Sequence, residues 1–504
     1  MKPDRLRQGP QEIELKLALP GADPSQLAKQ LAQITLLTRR SATRVHLHNV
    51  YYDTPEQALR QARIALRIRR VGSDAKPQWL QTLKMGGLGD SALSQRGEWE
   101  VPVPDARLDL QALQATPWNN FDPDGSVFQA LAPSFSTVFD RTLWVVRKRD
   151  GSVVEIALDL GQIEANQTQS PICELELELL AGSPPALFAI ARQIARTTAV
   201  LPANISKAER GYLLIEGCLD KPLRAQPPSL TPKLPLPEAS RRVLREMFCQ
   251  FTSNLGLLCS SDNPEVVHQA RVGWRRFKSA LRLFKIAVTG TEMPSWQALQ
   301  PLLNLLSEVR NFDVACTETL PPIGVAYVAG DSRREQAWHR MERTLAQART
   351  HQRELAREAL RQPAVGASLL EITQWLEGLS TARAQDEVSP EFKQPLQPWA
   401  RRRIKRLHDQ LQLALRDTGD PDSQHHARII AKRMRYSIEA MQPLLPKKRS
   451  QRWHEQATEL QSSIGAARDV SLAITLVAKL ELETGVLDFL HGVAVGRQSE
   501  VLQR

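Results

Sequence analysis

Glu12-Ile13-Glu14-Leu15-Lys16 alternates charged and apolar side chains without a break. Successive side chains of a β-strand point to opposite faces, so Glu12, Glu14 and Lys16 share one face and Ile13, Leu15 and Leu17 the other. The pattern returns. Leu66-Arg67-Ile68-Arg69 alternates apolar and cationic residues, while Glu98-Trp99-Glu100-Val101 and Cys173 to Glu178 do so with carboxylates. Glu155 to Asp159 places two acids on one face, and Trp79 to Lys84 ends a strand-like run on a lysine. A single segment of this kind is an ordinary half-solvated strand. The recurrence, with acids and bases evenly divided, predicts strands facing one another across a closed barrel. Charges then line the lumen and apolar faces pack outward against helices. Such a lumen suits a polyanion that carries a divalent metal. Carboxylates hold a hard cation through oxygen, and guanidinium and ammonium groups grip phosphate oxygens.

The remaining composition sets limits. A chain of 504 residues predicts more than one domain. A charged content of 24% and a hydrophobic content of 42% are globular values. Five cysteines with no Cys-x-x-Cys pair argue against a disulfide framework. The first residues lack the apolar stretch of a signal peptide, and no apolar run reaches membrane-spanning length. The expectation is a soluble, cytoplasmic protein without a membrane partner.

Pro222, Pro227, Pro228, Pro232, Pro235 and Pro237 crowd an aperiodic stretch, which sets the predicted boundaries at 1–218, a linker at 219–237 and a second domain at 238–504. Residues 1–218 hold 25 Lys/Arg and 24 Asp/Glu, so nearly all of the net charge of +11 lies beyond them. From Glu238 onward apolar residues recur at helical spacing, as in Val243, Met247, Phe248 and Phe251. The helical half also repeats itself. Val267-His268-x-x-Arg271-x-x-x-Arg275-Arg276-Phe277-Lys278 returns as Gln424-His425-x-x-Arg428-x-x-x-Lys432-Arg433-Met434-Arg435. Leu305 to Asn311 and Ser463 to Asp469 follow the two histidines at matching distance. Two copies predict duplicated helical bundles. On a helix His268, Arg271 and Arg275 share a face, as do His425, Arg428 and Lys432, and stacked like charges call for an anionic partner.

Two family resemblances rest on these residues. Glu12 to Lys16, Tyr51-Tyr52-Asp53-Thr54-Pro55, Ala65 to Arg70, Gln81 to Lys84 and Gln95 to Glu100 stand in the order of the CYTH superfamily, the triphosphate tunnel metalloenzymes. Asp140-Arg141, Glu155 to Asp159, Glu174 to Glu178 and Ser206 to Tyr212 continue the series. The resemblance implies an eight-stranded antiparallel tunnel with flanking helices, hydrolysing a triphosphate with Mg2+ or Mn2+. By position Glu12 and Glu14 match the metal-binding carboxylates, with Glu174 and Glu176 as further acidic wall. Lys16, Arg67, Arg69, Lys84 and Arg141 match the phosphate-gripping bases, and Lys207 and Arg210 sit on the closing segment. Glu12, Glu14, Lys16 and Lys84 form the implied catalytic set. The general base stays open among the 98/100 and 174/176/178 carboxylates.

The repeated motif resembles the CHAD domain, an all-α module that binds inorganic polyphosphate. That resemblance carries over His268, Arg271, Arg275, Arg276 and Lys278 from the first copy, and His425, Arg428, Lys432, Arg433 and Arg435 from the second. Ser307 and Asn311 stand where the family usually has Gly and Asp. With aromatic residues at 5% and no regular interleaving of rings among the basic helices, nucleic acid is not the expected partner. The leading expectation is an inorganic triphosphatase with a polyphosphate-binding module that could place it at polyphosphate granules. The alternatives are an adenylyl cyclase or a thiamine or nucleoside triphosphatase of the same fold, and a non-catalytic polyphosphate-binding protein.

Overall fold

A computed structural model describes residues 11–72, 77–86, 91–379, 394–416, 421–480 and 484–502. The side chains of 421, 422, 424, 425, 462–468, 484 and 497–502 lie outside that description. The chain divides into two compact units. One comprises Met1–Pro222 with Arg361–Gln374, the other Leu223–Leu360 with Trp375–Arg504.

In the first unit the alternating segments form strands. These are β1 (Gln11–Ala18), β2 (Thr43–Asp53), β3 (Ile64–Val71), β4 (Gln78–Met85), β5 (Leu93–Val103), β6 (Ala132–Arg147), β7 (Val153–Ala165) and β8 (Thr168–Ala181). They pair antiparallel in the order β5-β4-β3-β2-β6-β7-β8-β1, and β1 pairs back onto β5 to close an eight-stranded barrel. A two-residue β9 (Leu201–Pro202) pairs alongside β1. Closure leaves no free edge and sends alternate side chains inward. Outward, Leu15, Leu17, Ile156, Leu158, Leu175 and Leu177 pack with Leu27 and Leu31 of the helix Pro24–Gln33. Leu187, Phe188, Ile190 and Ile194 of the helix Pro185–Ala195 complete that layer.

The helix Lys207–Ile215 belongs to the same unit and is fixed from its first residue. Ser206 caps it by accepting the Glu209 N–H at 3.1 Å. The Tyr212 hydroxyl donates to Asp53 at 2.7 Å, and Asp53 also accepts the backbone N–H groups of Thr54, Leu59 and Arg60. Asp53 is therefore an anchor for the closing helix, which explains its place in the Tyr-Tyr-Asp-Thr-Pro stretch. Arg60 adds ion pairs to Glu209 at 2.7 Å and Glu216 at 2.5 Å. Gly211 makes the docking possible, because a Cβ there would lie 2.2 Å from the Phe135 ring.

The second unit is helical. Leu236–Leu258 and Pro264–Leu283 form an antiparallel pair followed by Gln300–Val314; Leu396–Ala414 and Pro421–Met441 form another, followed by Lys447–Ala478. The order of elements thus repeats as the sequence does. Val243, Met247, Phe248 and Phe251 are buried, and Gly273 lets the first pair approach closely, since a Cβ there would sit 2.8 Å from the Phe251 nitrogen. The proline-rich stretch is strapped to this unit, with Asn254 bonding both the N–H and the C=O of Leu223 at 3.1 and 2.9 Å.

Gly211→Val places a branched side chain in the space of the Phe135 ring. The expected result is a loss of about 1–3 kcal/mol of stability, read as a lower thermal midpoint, with weaker retention of Lys207 in the lumen.

Candidate active site

The barrel encloses a cavity of about 270 Å³, and most of the residues that line it are charged. Among the described residues seven bases line it (Lys16, Arg67, Arg69, Lys84, Arg96, Arg141 and Lys207), as do seven carboxylates (Glu12, Glu14, Glu98, Glu100, Glu155, Glu176 and Glu178). The signs cancel, which is how so many charges remain inside a protein. Register sets the partners. Glu12 faces Arg96 across the strands, Lys16 faces Glu176, Lys84 faces Glu98, and Arg141 faces Asp159.

The ion pairs follow from that register. Lys84 lies 2.8 Å from Glu12 and 3.1 Å from Glu98. Arg96 spans Glu12 at 3.0 Å and Glu14 at 2.6 Å, and Lys16 meets Glu14 at 2.9 Å. Arg141 grips Asp159 with two bonds of 2.7 Å and reaches Glu176 at 2.6 Å. Lys207 enters from the closing helix and sits 2.6 Å from Asp159, 2.5 Å from Glu174 and 2.9 Å from Glu176. Ligand oxygens of those three carboxylates lie within 4.8 Å of one another, a spacing fit for a cation, and the Lys207 ammonium fills it.

Charge is nonetheless unevenly spread. Burial and the neighbouring carboxylates Glu12, Glu98 and Glu155 push the Glu178 carboxyl up to about 7. Elsewhere on the wall, burial and the cations Arg67 and Arg141 pull the Arg69 guanidinium down to about 10, against the opposing pull of Glu100. One part of the lumen therefore crowds carboxylates together and another crowds guanidinium groups. The two rings in the wall are both engaged. Tyr51 stacks on Phe135 at 4.7 Å and accepts from Arg67 at 3.2 Å, while Phe139 lies under Arg141 and Lys207.

The structure brings Glu12, Glu14, Lys16, Arg67, Arg69, Lys84, Arg141, Glu176 and Lys207 into one lumen. Glu174 and Arg210 stand apart from that lining. They pair at 3.3 Å, Arg210 also donates to Ser170 and to the Pro171 carbonyl, and Glu174 lies 2.5 Å from Lys207 within the carboxylate cluster behind the cavity wall. Glu178, a general-base candidate from the sequence, lies in the same lumen, and Arg96 and Asp159 join the site beyond the expected site residues. Their signal is the same alternation, since Arg96 precedes Glu98 by two and Asp159 shares a strand face with Glu155.

On the helical unit the first basic motif lies on Pro264–Leu283. Arg271 donates to the Ser307 hydroxyl, which gives the serine at that position a role. Lys278 is exposed, and partial desolvation together with Arg282, Arg275 and Arg271 lowers its ammonium. Burial and the cations Arg310 and Arg275 push His268 down to about 4, so it is neutral at pH 7 and offers hydrogen bonds, not charge. The second motif lies on Pro421–Met441, with Arg428, Lys432, Arg433 and Arg435 partly exposed and the His425 side chain outside the described residues. Arg433 is lowered by burial and by Arg282 and Arg403, so cations of the two copies crowd together. Arg276 departs from its expected place. It is turned inward and buried, because its position on the helix faces the packed side and not the basic face.

A closed antiparallel barrel with an ionic lumen, followed by a duplicated basic helical unit, defines a two-domain class. Residues 10–212 match the family model of the CYTH domain and residues 242–478 that of the CHAD domain, so the chain joins a CYTH domain to a CHAD domain. It is similar to the inorganic triphosphatase of Haemophilus influenzae, at 35% identity over 204 residues, 40% of this chain and 55% of that protein. The match thus spans about half the length of that relative. The CHAD domain from the plant Ricinus communis is 26% identical, over 55% of this chain and 92% of its own, with a TM-score of 0.46. The Hippeastrum protein HpAC1, described as having a dominant triphosphatase activity, is 20% identical over 40% of this chain and 95% of its own, with a TM-score of 0.28.

A carboxyl raised from its ordinary 4.5 to about 7 binds its proton more tightly in the folded chain. The stability this confers is present below pH 4.5 and is lost as pH rises through 7. Glu178→Gln is therefore expected to unfold at a higher temperature than the parent at pH 8 in metal-free buffer, with the difference vanishing near pH 4. Parallel thermal scans at the two pH values measure it.

Proposed function

We propose that the tunnel hydrolyses inorganic triphosphate to diphosphate and phosphate with Mg2+ or Mn2+, and that the helical unit binds inorganic polyphosphate. The observation that carries the reading is the polarised lumen of seven bases and seven carboxylates. A wall of balanced sign has no positive charge to spare for a polyanion, so the polyanion must arrive with cations of its own. The acid-rich part around Glu12, Glu98, Glu155 and Glu178 fits a hard divalent ion, because its carboxylates repel one another and offer only oxygen. Glu12, Glu14, Glu176 and Glu178 would hold it, with Glu174 behind them. When bound, such an ion neutralises charge on phosphoryl oxygens and acidifies a water molecule.

The protein's own groups do the rest. Arg67 and Arg141 stand near Arg69 and, with burial, lower its guanidinium, so a phosphate oxygen entering beside the three would relieve that crowding. Lys16, Lys84, Arg96 and Lys207 are held by carboxylates and can exchange those partners for phosphate without leaving the lumen. Fixed charges aimed at the equatorial oxygens of a transferring phosphoryl group supply most of what this reaction needs. Tyr51 already stacks on Phe135, and Phe139 lies against Arg141 and Lys207, so both rings have partners, which favours inorganic triphosphate over nucleotides.

Crowded cations on the two CHAD helices support the polyphosphate reading. Burial with Arg282, Arg275 and Arg271 lowers the Lys278 ammonium, burial with Arg282 and Arg403 lowers the Arg433 guanidinium, and an extended polyanion relieves both. No helix among the described residues is long and apolar enough to cross a membrane.

Phosphate release from inorganic triphosphate, ATP and thiamine triphosphate, with Mg2+ or Mn2+ and with EDTA, tests the reading. Metal-dependent turnover with preference for inorganic triphosphate is expected, and Glu14→Gln or Lys16→Ala should lower kcat by roughly a hundredfold or more. Preference for an organic triphosphate, or turnover unchanged in both variants, would contradict it.

A further inference from the structure

Arg276 sits within the basic motif yet plays a different part. Its side chain is 2% exposed, its Nη1 donates to Gln250 at 2.5 Å, and Glu246 lies 3.5 Å away. Burial holds the Glu246 carboxyl above its usual range, and Gln226 already donates a backbone N–H to it, so it is a reluctant counterion. The other carboxylate in reach comes from the second copy. Glu439, on Pro421–Met441, lies 3.6 Å from Arg276 Nε. Glu439 is itself aimed by Arg435 at 3.4 Å and His454 at 3.1 Å.

This pair stands where the fold needs it. Pro264–Leu283 and Pro421–Met441 each carry a row of cations, and Arg282 of the first lies close enough to Arg433 of the second to lower its basicity. Two like-charged faces held side by side repel. An opposite-charge contact on the packed side of the same helices offsets that repulsion and fixes their register, a use for which buried ionic groups are best attested.

We propose that Arg276 and Glu439 bolt the two CHAD repeats together, so that their basic faces form one continuous track for a single long polyanion. Arg276 is thus a positioning residue and makes no contact with the polyanion. This rests on the polyphosphate reading above for its ligand, and on the geometry of the helical unit for the bolt.

The two possible roles of the pair predict opposite signs. Glu439→Gln keeps shape and removes a negative charge beside a basic surface. If the surface acted by charge alone, the variant would bind polyphosphate more tightly. If the pair sets the track, the variant loses the advantage of long chains, since the second helix no longer adds its share. The experiment titrates the full chain in EDTA with linear polyphosphate of two lengths. One is no longer than a single helix, about 30 Å for the 20 residues of Pro264–Leu283, and the other is several times longer. The expected result is roughly tenfold weaker binding of the long chain with the short chain unchanged. Long-chain binding that is unchanged or tighter overturns the proposal, and so does a parent protein that binds both lengths equally per site.

Arg276→Met and the double variant complete a cycle read by thermal unfolding, which needs no ligand. Non-additive losses support the bolt, and strictly additive ones overturn it. If the parent protein binds no polyphosphate of either length, the polyphosphate reading falls, while the unfolding cycle still decides whether the two repeats are bolted.

Discussion

Everything in the tunnel domain follows from the requirement that buried charges be paired. A low-dielectric interior tolerates an ammonium or a carboxylate only beside its opposite, and the barrel meets this by strand register. Because β1 lies between β5 and β8, Glu12 and Glu14 reach Arg96 while Lys16 reaches Glu14 and lies opposite Glu176. A one-residue slip would turn every charge outward and bury leucines in the lumen. The apolar outer layer of Leu15, Leu17, Leu175 and Leu177 packed on helices holds the register in place. The ionic interior is therefore the other side of an ordinary hydrophobic core.

The same pairing makes the site responsive. Each lumen base has a carboxylate that a phosphate could replace, and Glu12, Glu14, Glu98, Glu100 and Glu176 each have a base that a metal ion could replace. The Lys207 ammonium among Asp159, Glu174 and Glu176 is the clearest instance, a protein cation seated where three carboxylates converge. Its carrier helix is secured from outside the lumen, by Asp53 on Tyr212 and by Arg60 on Glu209 and Glu216. Chemistry and anchoring are thus divided between the two ends of one short helix.

Much of this was legible in the sequence because period-two alternation survives closure of a barrel. The charged sides of β1, β3, β5, β7 and β8 could be read directly, and they do face inward. Arg96 and Asp159 carried the same signal and were passed over, since alternation marks a face without ranking its members. Arg210 and Glu174 illustrate the converse. They lie on the expected elements but behind the cavity lining, where Glu174 joins both Arg210 and the lumen residue Lys207. In the helical half, spacing placed the basic motifs on helices but not the direction of each member. Arg275 and Arg276 are neighbours in sequence and lie on different sides of the helix, one partly exposed and one buried. Only packing against Glu246, Gln250 and Glu439 tells them apart.

The central claim is that a lumen of balanced charge accepts a polyanion only together with a divalent cation. Calorimetric titration with imidotriphosphate, whose bridging nitrogens resist hydrolysis, tests it most directly when run with Mg2+ and again with EDTA. The account predicts binding at least roughly tenfold tighter with the metal, and by reciprocity metal binding tightened by the same factor when the anion is present. Equal affinity in the two buffers would contradict it.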